Sequence, residues 1–181
     1  MINLQVLRGF LAGTLLVVVG LAAAQDPLRA LDLMGPASTE VPRDFTVPTP
    51  DGASLTLAGY RGRVVLLNFW ATWCVPCREE MPAMERLSQR FRDRGLVVLA
   101  ISVDAPGSPA VVPFAKELGL TYPIGLDPKM ALARQYGVRG LPASFLLDRT
   151  GAVVGRALGS RDWDSPAAHG VVEWLLARGP G

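Results

Sequence analysis

The chain has 181 residues, half of them apolar, which is enough for one domain with a sizeable core and a short appendage. Its formal charge of +2 and its lack of any block of lysine or arginine exclude nucleic acid as an expected partner. Two cysteines and one histidine cannot provide the four ligands of a structural zinc site, so we expect neither a metal nor another cofactor.

The first 24 residues indicate an export segment. Arg8 precedes an uncharged stretch, residues 9–24, and Ala22-Ala23-Ala24 provides a cleavage site of the small-residue type. A retained membrane anchor is the alternative, although the stretch is shorter than the roughly 20 residues of a spanning helix. With Arg8 on the inner side, either fate places the rest of the chain outside the cytoplasm. We therefore divide the chain into a signal peptide or anchor (1–24), a linker (25–40) and a folded domain (41–181).

After a linker rich in proline, aspartate and small residues, strand and helix patterns alternate along the chain. Residues 45–57 predict a β-hairpin that turns at Asp51-Gly52, and the apolar run 64–70 predicts a strand buried on both faces. Apolar residues then recur at helical spacing through 79–94. Further strands are predicted at 96–103, 122–126, 143–147 and 152–158, and further helices at 110–118, 130–136 and 163–178. Because strands and helices alternate, we expect a sheet covered by helices on both faces.

The two cysteines form a Cys-x-x-Cys pair, Cys74 and Cys77, at the junction between the predicted strand and the predicted helix. Their i, i+3 spacing brings the Cα atoms to roughly 5–6 Å, which is within disulfide range. Backbone N–H groups at the helix N-terminus stabilise a thiolate at Cys74, which makes it the predicted nucleophile. Cys77 lies deeper and is the predicted resolving thiol. A purely structural disulfide is the alternative, but closing so short a loop stabilises a fold little.

Several motifs around the pair resemble those of one family. They are Trp73-Cys74-Val75-Pro76-Cys77, the flanking segments 68–74 and 78–82, and the downstream segment 137–151. These motifs, in this order, resemble those of the TlpA/ResA-like envelope thiol-disulfide oxidoreductases of the thioredoxin superfamily. The resemblance extends over residues 41–177. The resemblance implies an α/β thioredoxin fold, in which helices flank a central mixed β-sheet, with an N-terminal β-hairpin and a central inserted helix–strand unit.

The resemblance also implies where a partner binds. It makes Pro142 a cis-proline that faces the cysteine pair, and a cis X-Pro bond makes a tight turn without a backbone donor. The backbone of Leu141 is then free to pair with an extended partner peptide. Trp73, Val75 and Pro76, beside the reactive sulfur, complete the expected substrate-binding residues.

Glu80 is the third expected catalytic residue. General thioredoxins carry a buried aspartate on the strand before the cysteines, and Asn68 stands at that place here, although asparagine cannot take a proton. Glu80 lies three residues after Cys77 and therefore on the same helical face. We predict that it is partly buried, has a raised pKa and handles the Cys77 proton. A solvated glutamate in the first turn of the helix is the alternative.

These features predict an extracytoplasmic thiol-disulfide oxidoreductase that reduces disulfides in envelope proteins. The resemblance implies that a membrane thiol donor recharges the pair and that the substrates are apocytochrome c or a copper-site protein of a respiratory oxidase. We expect a monomer. A disulfide-forming oxidant is the alternative, and it differs only in reduction potential. A peroxidase is less favoured because Ala71 stands where peroxiredoxins have threonine, and a Cu(I) carrier because Met81 and Met84 fit core packing better.

Overall fold

The computed structural model describes residues 26–35, 44–105 and 107–179. The predicted signal peptide or anchor, 1–24, lies outside these residues, and so does the predicted junction between linker and domain at 36–43. None of the helices in the described ranges is long and apolar enough to cross a membrane.

A five-stranded mixed sheet forms the centre of the molecule, and a two-stranded hairpin lies beside it. The hairpin consists of β1 (Thr46–Pro48) and β2 (Ser54–Thr56). The strands of the central sheet are β3 (Val64–Trp70), β4 (Leu96–Ser102), β5 (Ile124–Leu126), β6 (Ala143–Leu147) and β7 (Val153–Leu158). The helices are α1 (Pro27–Ala30), α2 (Val75–Phe91), α3 (Ser108–Glu117), α4 (Ala131–Gln135) and α5 (Pro166–Ala177), with 3₁₀ turns at Leu57–Tyr60 and Arg92–Arg94.

The central strand is β3, and every residue of it is buried. It pairs in parallel with β4 and antiparallel with β6, and the order across the sheet is β5-β4-β3-β6-β7. The apolar run 64–70 suits this place because a strand covered on both faces needs no polar side. The parallel pairing puts the carboxyl ends of β3 and β4 at one edge of the sheet, so residues 71–74 and 103–105 meet there.

The hairpin and the inserted unit occur as the resemblance implied. Helix α3, strand β5 and helix α4 lie between β4 and β6 in the chain, and β5 extends the sheet in parallel next to β4. The hairpin approaches β5 closely, because a Cβ atom at Gly125 would lie only 2.6 Å from Cγ2 of Val47. The predicted architecture of a mixed sheet flanked by helices is therefore confirmed.

The structure corrects the predicted linker over residues 26–35, which are folded against the domain. Leu31 is buried there, and Met34 forms an antiparallel bridge to β7. The guanidinium group of Arg161 donates hydrogen bonds to the carbonyl oxygens of Leu31 (3.1 Å) and Asp32 (2.9 Å). The turn-rich composition of this segment could not predict the docking, because Arg161 lies 130 residues after Leu31 in the chain.

Candidate active site

A disulfide joins the two cysteines at the N-terminus of α2. Cys74 is the N-cap residue of the helix, and Cys77 lies one turn inside it. Their Cα atoms are 5.3 Å apart, which confirms the separation predicted from the spacing. Cys74 retains 6% exposure, whereas Cys77 has 0%. The sulfur at the helix N-terminus is therefore the one that lies closer to solvent.

Backbone geometry at the junction explains why the helix begins here. The N–H of Cys74 donates to the carbonyl oxygen of Ala71 (3.1 Å), and the Cys74 carbonyl accepts from the N–H groups of Cys77 (3.1 Å) and Arg78 (3.2 Å). Pro76 occupies the first turn of α2, where its missing N–H removes no helical hydrogen bond. The positive end of the helix thus lies at Cys74, where it favours negative charge.

An aspartate after β4 fixes the loop that precedes Cys74. Asp104 is buried, and its carboxylate accepts hydrogen bonds from the Thr72 N–H (2.9 Å), the Thr72 hydroxyl (2.6 Å) and the Ser102 hydroxyl (2.8 Å). Sequence reasoning missed this residue. The signal was the appearance of two polar residues, Ser102 and Asp104, at the end of an otherwise apolar strand.

The carboxyl group of Glu80 lies inside the protein with three donors around it. The residue is 3% exposed. Its Oε1 accepts a hydrogen bond from Nδ2 of Asn68 (2.9 Å), and its Oε2 accepts from the backbone N–H of Arg161 (3.0 Å) and the indole N–H of Trp163 (3.1 Å). Burial raises the pKa of Glu80 to about 7, and the three hydrogen bonds oppose the rise because they favour the carboxylate. The predicted burial and raised pKa are confirmed, and the solvated alternative is wrong.

Asn68 connects Glu80 to the neighbouring strand. It lies on β3 opposite Ser144 of β6, and its Nδ2 also donates to the Ser144 hydroxyl (2.9 Å). Its Oδ1 is buried and has no hydrogen-bond partner among the described residues. Asn68 therefore holds the carboxyl group of Glu80 in place as a donor and takes no proton itself.

A cavity of about 500 Å³ opens beside Cys74. Trp73, Pro76 and Leu141 line it together with Cys74, and Trp73 is 69% exposed. The peptide bond between Leu141 and Pro142 is cis, which confirms the predicted cis-proline. Four of the residues expected at the site are thus brought together around one opening.

Other residues singled out from the sequence do not line this cavity. Val75 is exposed on the first turn of α2 but does not line the cavity. Trp70, Met81 and Met84 are fully buried in the core, so the methionines serve packing as expected. No group of three or more histidine, cysteine, aspartate or glutamate side chains that could hold a metal ion occurs in the described part of the chain.

A family model described as the AhpC/TSA family matches residues 38–156. The chain belongs to this family. It is 36% identical over 118 residues to the thiol-disulfide oxidoreductase ResA of Bacillus thuringiensis (strain Al Hakam), a match that covers 65% of this chain and 68% of that protein. It is 42% identical over 110 residues to the ResA of Geobacillus thermodenitrificans (strain NG80-2). That match covers 61% of this chain and 63% of the relative.

A solved structure gives the same result. The crystal structure of a thiol:disulfide interchange protein of the thioredoxin family from Chlorobium tepidum TLS has a TM-score of 0.65 and 30% identity, and the match covers 78% of this chain and 99% of that one. The chain is accordingly a thiol-disulfide oxidoreductase with a thioredoxin-like fold, as the motifs predicted. Cys74, Cys77 and Glu80 lie within the matched residues 38–156, whereas Arg161 and Trp163 lie beyond them.

The raised pKa of Glu80 predicts a pH-dependent stability. Between pH 4.5, its ordinary pKa, and about 7, the folded protein holds a proton that the unfolded chain has released. The free energy of unfolding therefore falls as the pH rises through this window, by on the order of 2–3 kcal/mol. Glu80→Gln removes the group that titrates, so the free energy of unfolding should change much less with pH across this window. Urea unfolding of the oxidised protein at a series of pH values measures both curves.

Glu79→Gln is the matched control for this measurement, because Glu79 is exposed on the same helix. The control should keep the pH dependence of the wild-type protein. If Glu80→Gln also kept it, Glu80 would not be the group that titrates in this window.

Removal of the indole donor should raise the pKa of Glu80 further. Trp163→Phe keeps an aromatic ring in the core but deletes the 3.1 Å hydrogen bond to Oε2. Because a hydrogen bond to a charged group is worth about 1.5–3 kcal/mol, we expect the titration midpoint to rise by about one to two pH units. The carboxyl ¹³C chemical shift of Glu80 reports the midpoint. Trp174→Phe, which removes an indole that does not bond to Glu80, should leave it unchanged; equal midpoints in the two variants would contradict the assignment.

Proposed function

We propose that the chain is an extracytoplasmic reductase of disulfides in envelope proteins, with Cys74 as nucleophile, Cys77 as resolving thiol and Glu80 as proton acceptor. The observation that carries the proposal is the asymmetry of the pair. Cys74 lies at the helix N-terminus beside a cavity, whereas Cys77 is enclosed one turn before a buried carboxyl group. We therefore assign attack on the partner to Cys74 and transfer of the proton to Cys77 and Glu80, which lie further along the same helix.

In the first step Cys74 attacks the partner. Its thiolate, favoured by the N–H groups of the helix N-terminus, attacks one sulfur of a partner disulfide. A mixed disulfide forms between Cys74 and the partner, and the partner's own S–S bond breaks. The second sulfur of the partner leaves as a thiolate and takes a proton from solvent.

In the second step Cys77 releases the partner. Its thiol gives a proton to the Glu80 carboxylate, and the resulting thiolate attacks Sγ of Cys74. The Cys74–Cys77 disulfide forms, and the partner leaves with its remaining sulfur as a thiolate, so two electrons have passed to the partner. A pKa of about 7 suits Glu80 for this role, because the group can bind and release a proton near neutral pH.

The backbone beside the cavity supports binding of an extended partner segment. Neither the N–H nor the carbonyl oxygen of Leu141 bonds to another backbone group in the described part of the chain, so both can form strand-like hydrogen bonds. Trp73, Val75 and Pro76 provide apolar surface next to the reactive sulfur. We assign these residues and Pro142 to substrate binding.

The proposed location rests on residues 1–24, whose uncharged stretch and alanine-rich end fit export or anchoring. As substrates we propose the cysteines of apocytochrome c or of a copper-site protein of a respiratory oxidase, with the chain acting as a monomer. A membrane thiol protein would supply the electrons. Because Cys77 is enclosed, this donor would attack the oxidised pair through Cys74, at the same opening that the substrate uses.

Cys77→Ser should trap partners as mixed disulfides on Cys74, because the second step then lacks its attacking sulfur. Non-reducing electrophoresis of envelope extracts, followed by mass spectrometry, would identify the trapped proteins. Cys74→Ser is the matched control and should trap far less, since the remaining thiol is buried. Recovery of no partner by the Cys77→Ser variant would count against the proposal.

The reduction potential of the Cys74–Cys77 couple tests the direction of electron flow. We expect a value near or below about −220 mV, towards the thioredoxin end of the scale, when the protein is equilibrated against defined thiol buffers. A value near about −120 mV would instead indicate an oxidant that forms disulfides in exported proteins. That result would overturn the reductase direction and leave disulfide exchange at this site intact.

A further inference from the structure

One unpaired cation lies on the wall of the cavity beside Cys74. Arg139 lines the cavity together with Leu141, and its side chain is exposed. Among the described residues it has neither a carboxylate nor any other hydrogen-bond partner. Arg78, in the first turn of α2, does not line the cavity, and its guanidinium group is paired with Glu117 at 3.2 Å.

The segment that carries Arg139 contains no free negative charge. Residues 127–142 hold three cations, Lys129, Arg134 and Arg139. Asp127 is the one acid in this stretch, and it is buried, with its carboxylate accepting hydrogen bonds from two backbone N–H groups of α4, each at 2.8 Å. Nothing in this segment therefore neutralises the charge that Arg139 brings to the cavity.

We propose that Arg139 selects partner segments that carry an acidic residue beside the reactive disulfide. The inference rests on the proposed disulfide exchange at Cys74. Leu141 lies two residues after Arg139, and both line the cavity, so a segment that pairs with the backbone of Leu141 brings a side chain towards the guanidinium group. An aspartate or glutamate there forms a charge-assisted hydrogen bond, whereas a lysine or arginine is repelled.

The size of the effect follows from the exposure of Arg139. A charge at a solvent-exposed rim acts mainly on the rate of association and contributes modestly to affinity. At low salt we expect a glutamate-flanked peptide disulfide to react about five- to tenfold faster than a lysine-flanked one. Salt screens such a contact, so the ratio should narrow as the ionic strength rises.

The test uses three synthetic peptide disulfides that differ only in the residues flanking the reactive cysteine, which are glutamate, glutamine or lysine. Second-order rate constants are measured with pre-reduced protein, so no electron donor is needed. Arg139→Ala should bring the glutamate-to-lysine ratio close to one, and Arg139→Glu should invert it. Arg134→Ala is the matched control, because it removes the same charge from the same segment at a position that does not line the cavity; it should keep most of the ratio.

A wild-type ratio near one would overturn the inference. So would an Arg139→Ala variant that keeps the wild-type ratio, or an Arg134→Ala variant that loses as much of it. Failure of the proposed function has a different signature, since the wild-type protein would then fail to reduce even the neutral glutamine peptide, and both proposals would fall together.

Discussion

Burial of the Glu80 carboxyl group is the constraint on which the rest of the site depends. A buried acid needs donors, and two distant parts of the chain provide them: β3 through Asn68, and the segment after β7 through Arg161 and Trp163. Each hydrogen bond fixes the position of one of these elements relative to α2. Because Glu80 lies one turn after Cys77, the same contacts fix the enclosed end of the cysteine pair.

Arg161 makes two sets of hydrogen bonds, which connect the active site to residues 26–35. Its backbone N–H binds Glu80, while its guanidinium group binds the carbonyl oxygens of Leu31 and Asp32. Residues 26–35 therefore pack against Arg161, the same residue that donates a hydrogen bond to the buried carboxyl group of Glu80. Arg161 therefore joins residues 26–35 to the site, through its side chain at one end and its backbone N–H at the other.

Local features of the site were predictable from the sequence, and its distant contacts were not. The strand β3, the start of α2 and the 5.3 Å separation of the cysteine Cα atoms follow from apolar runs and residue spacing, which act over a few residues. The burial of Glu80 followed from its position relative to Cys77. Its donors Arg161 and Trp163 lie 81 and 83 residues away, and no periodicity reports such contacts. For the same reason the turn-rich segment 26–35 was predicted as a linker.

Cys74 and Glu80, six residues apart along α2, face opposite physical requirements. The proposed nucleophile needs an open approach, and Cys74 has one at the edge of the cavity, after a loop that Asp104 holds at Thr72. A carboxyl group whose pKa lies near 7 needs water to be excluded, and Glu80 has this because its surroundings are closed. Six helical residues, at about 1.5 Å of rise each, separate these environments by about 9 Å. Access to the sulfur and affinity for the proton are therefore set by different residues, although one helix carries both.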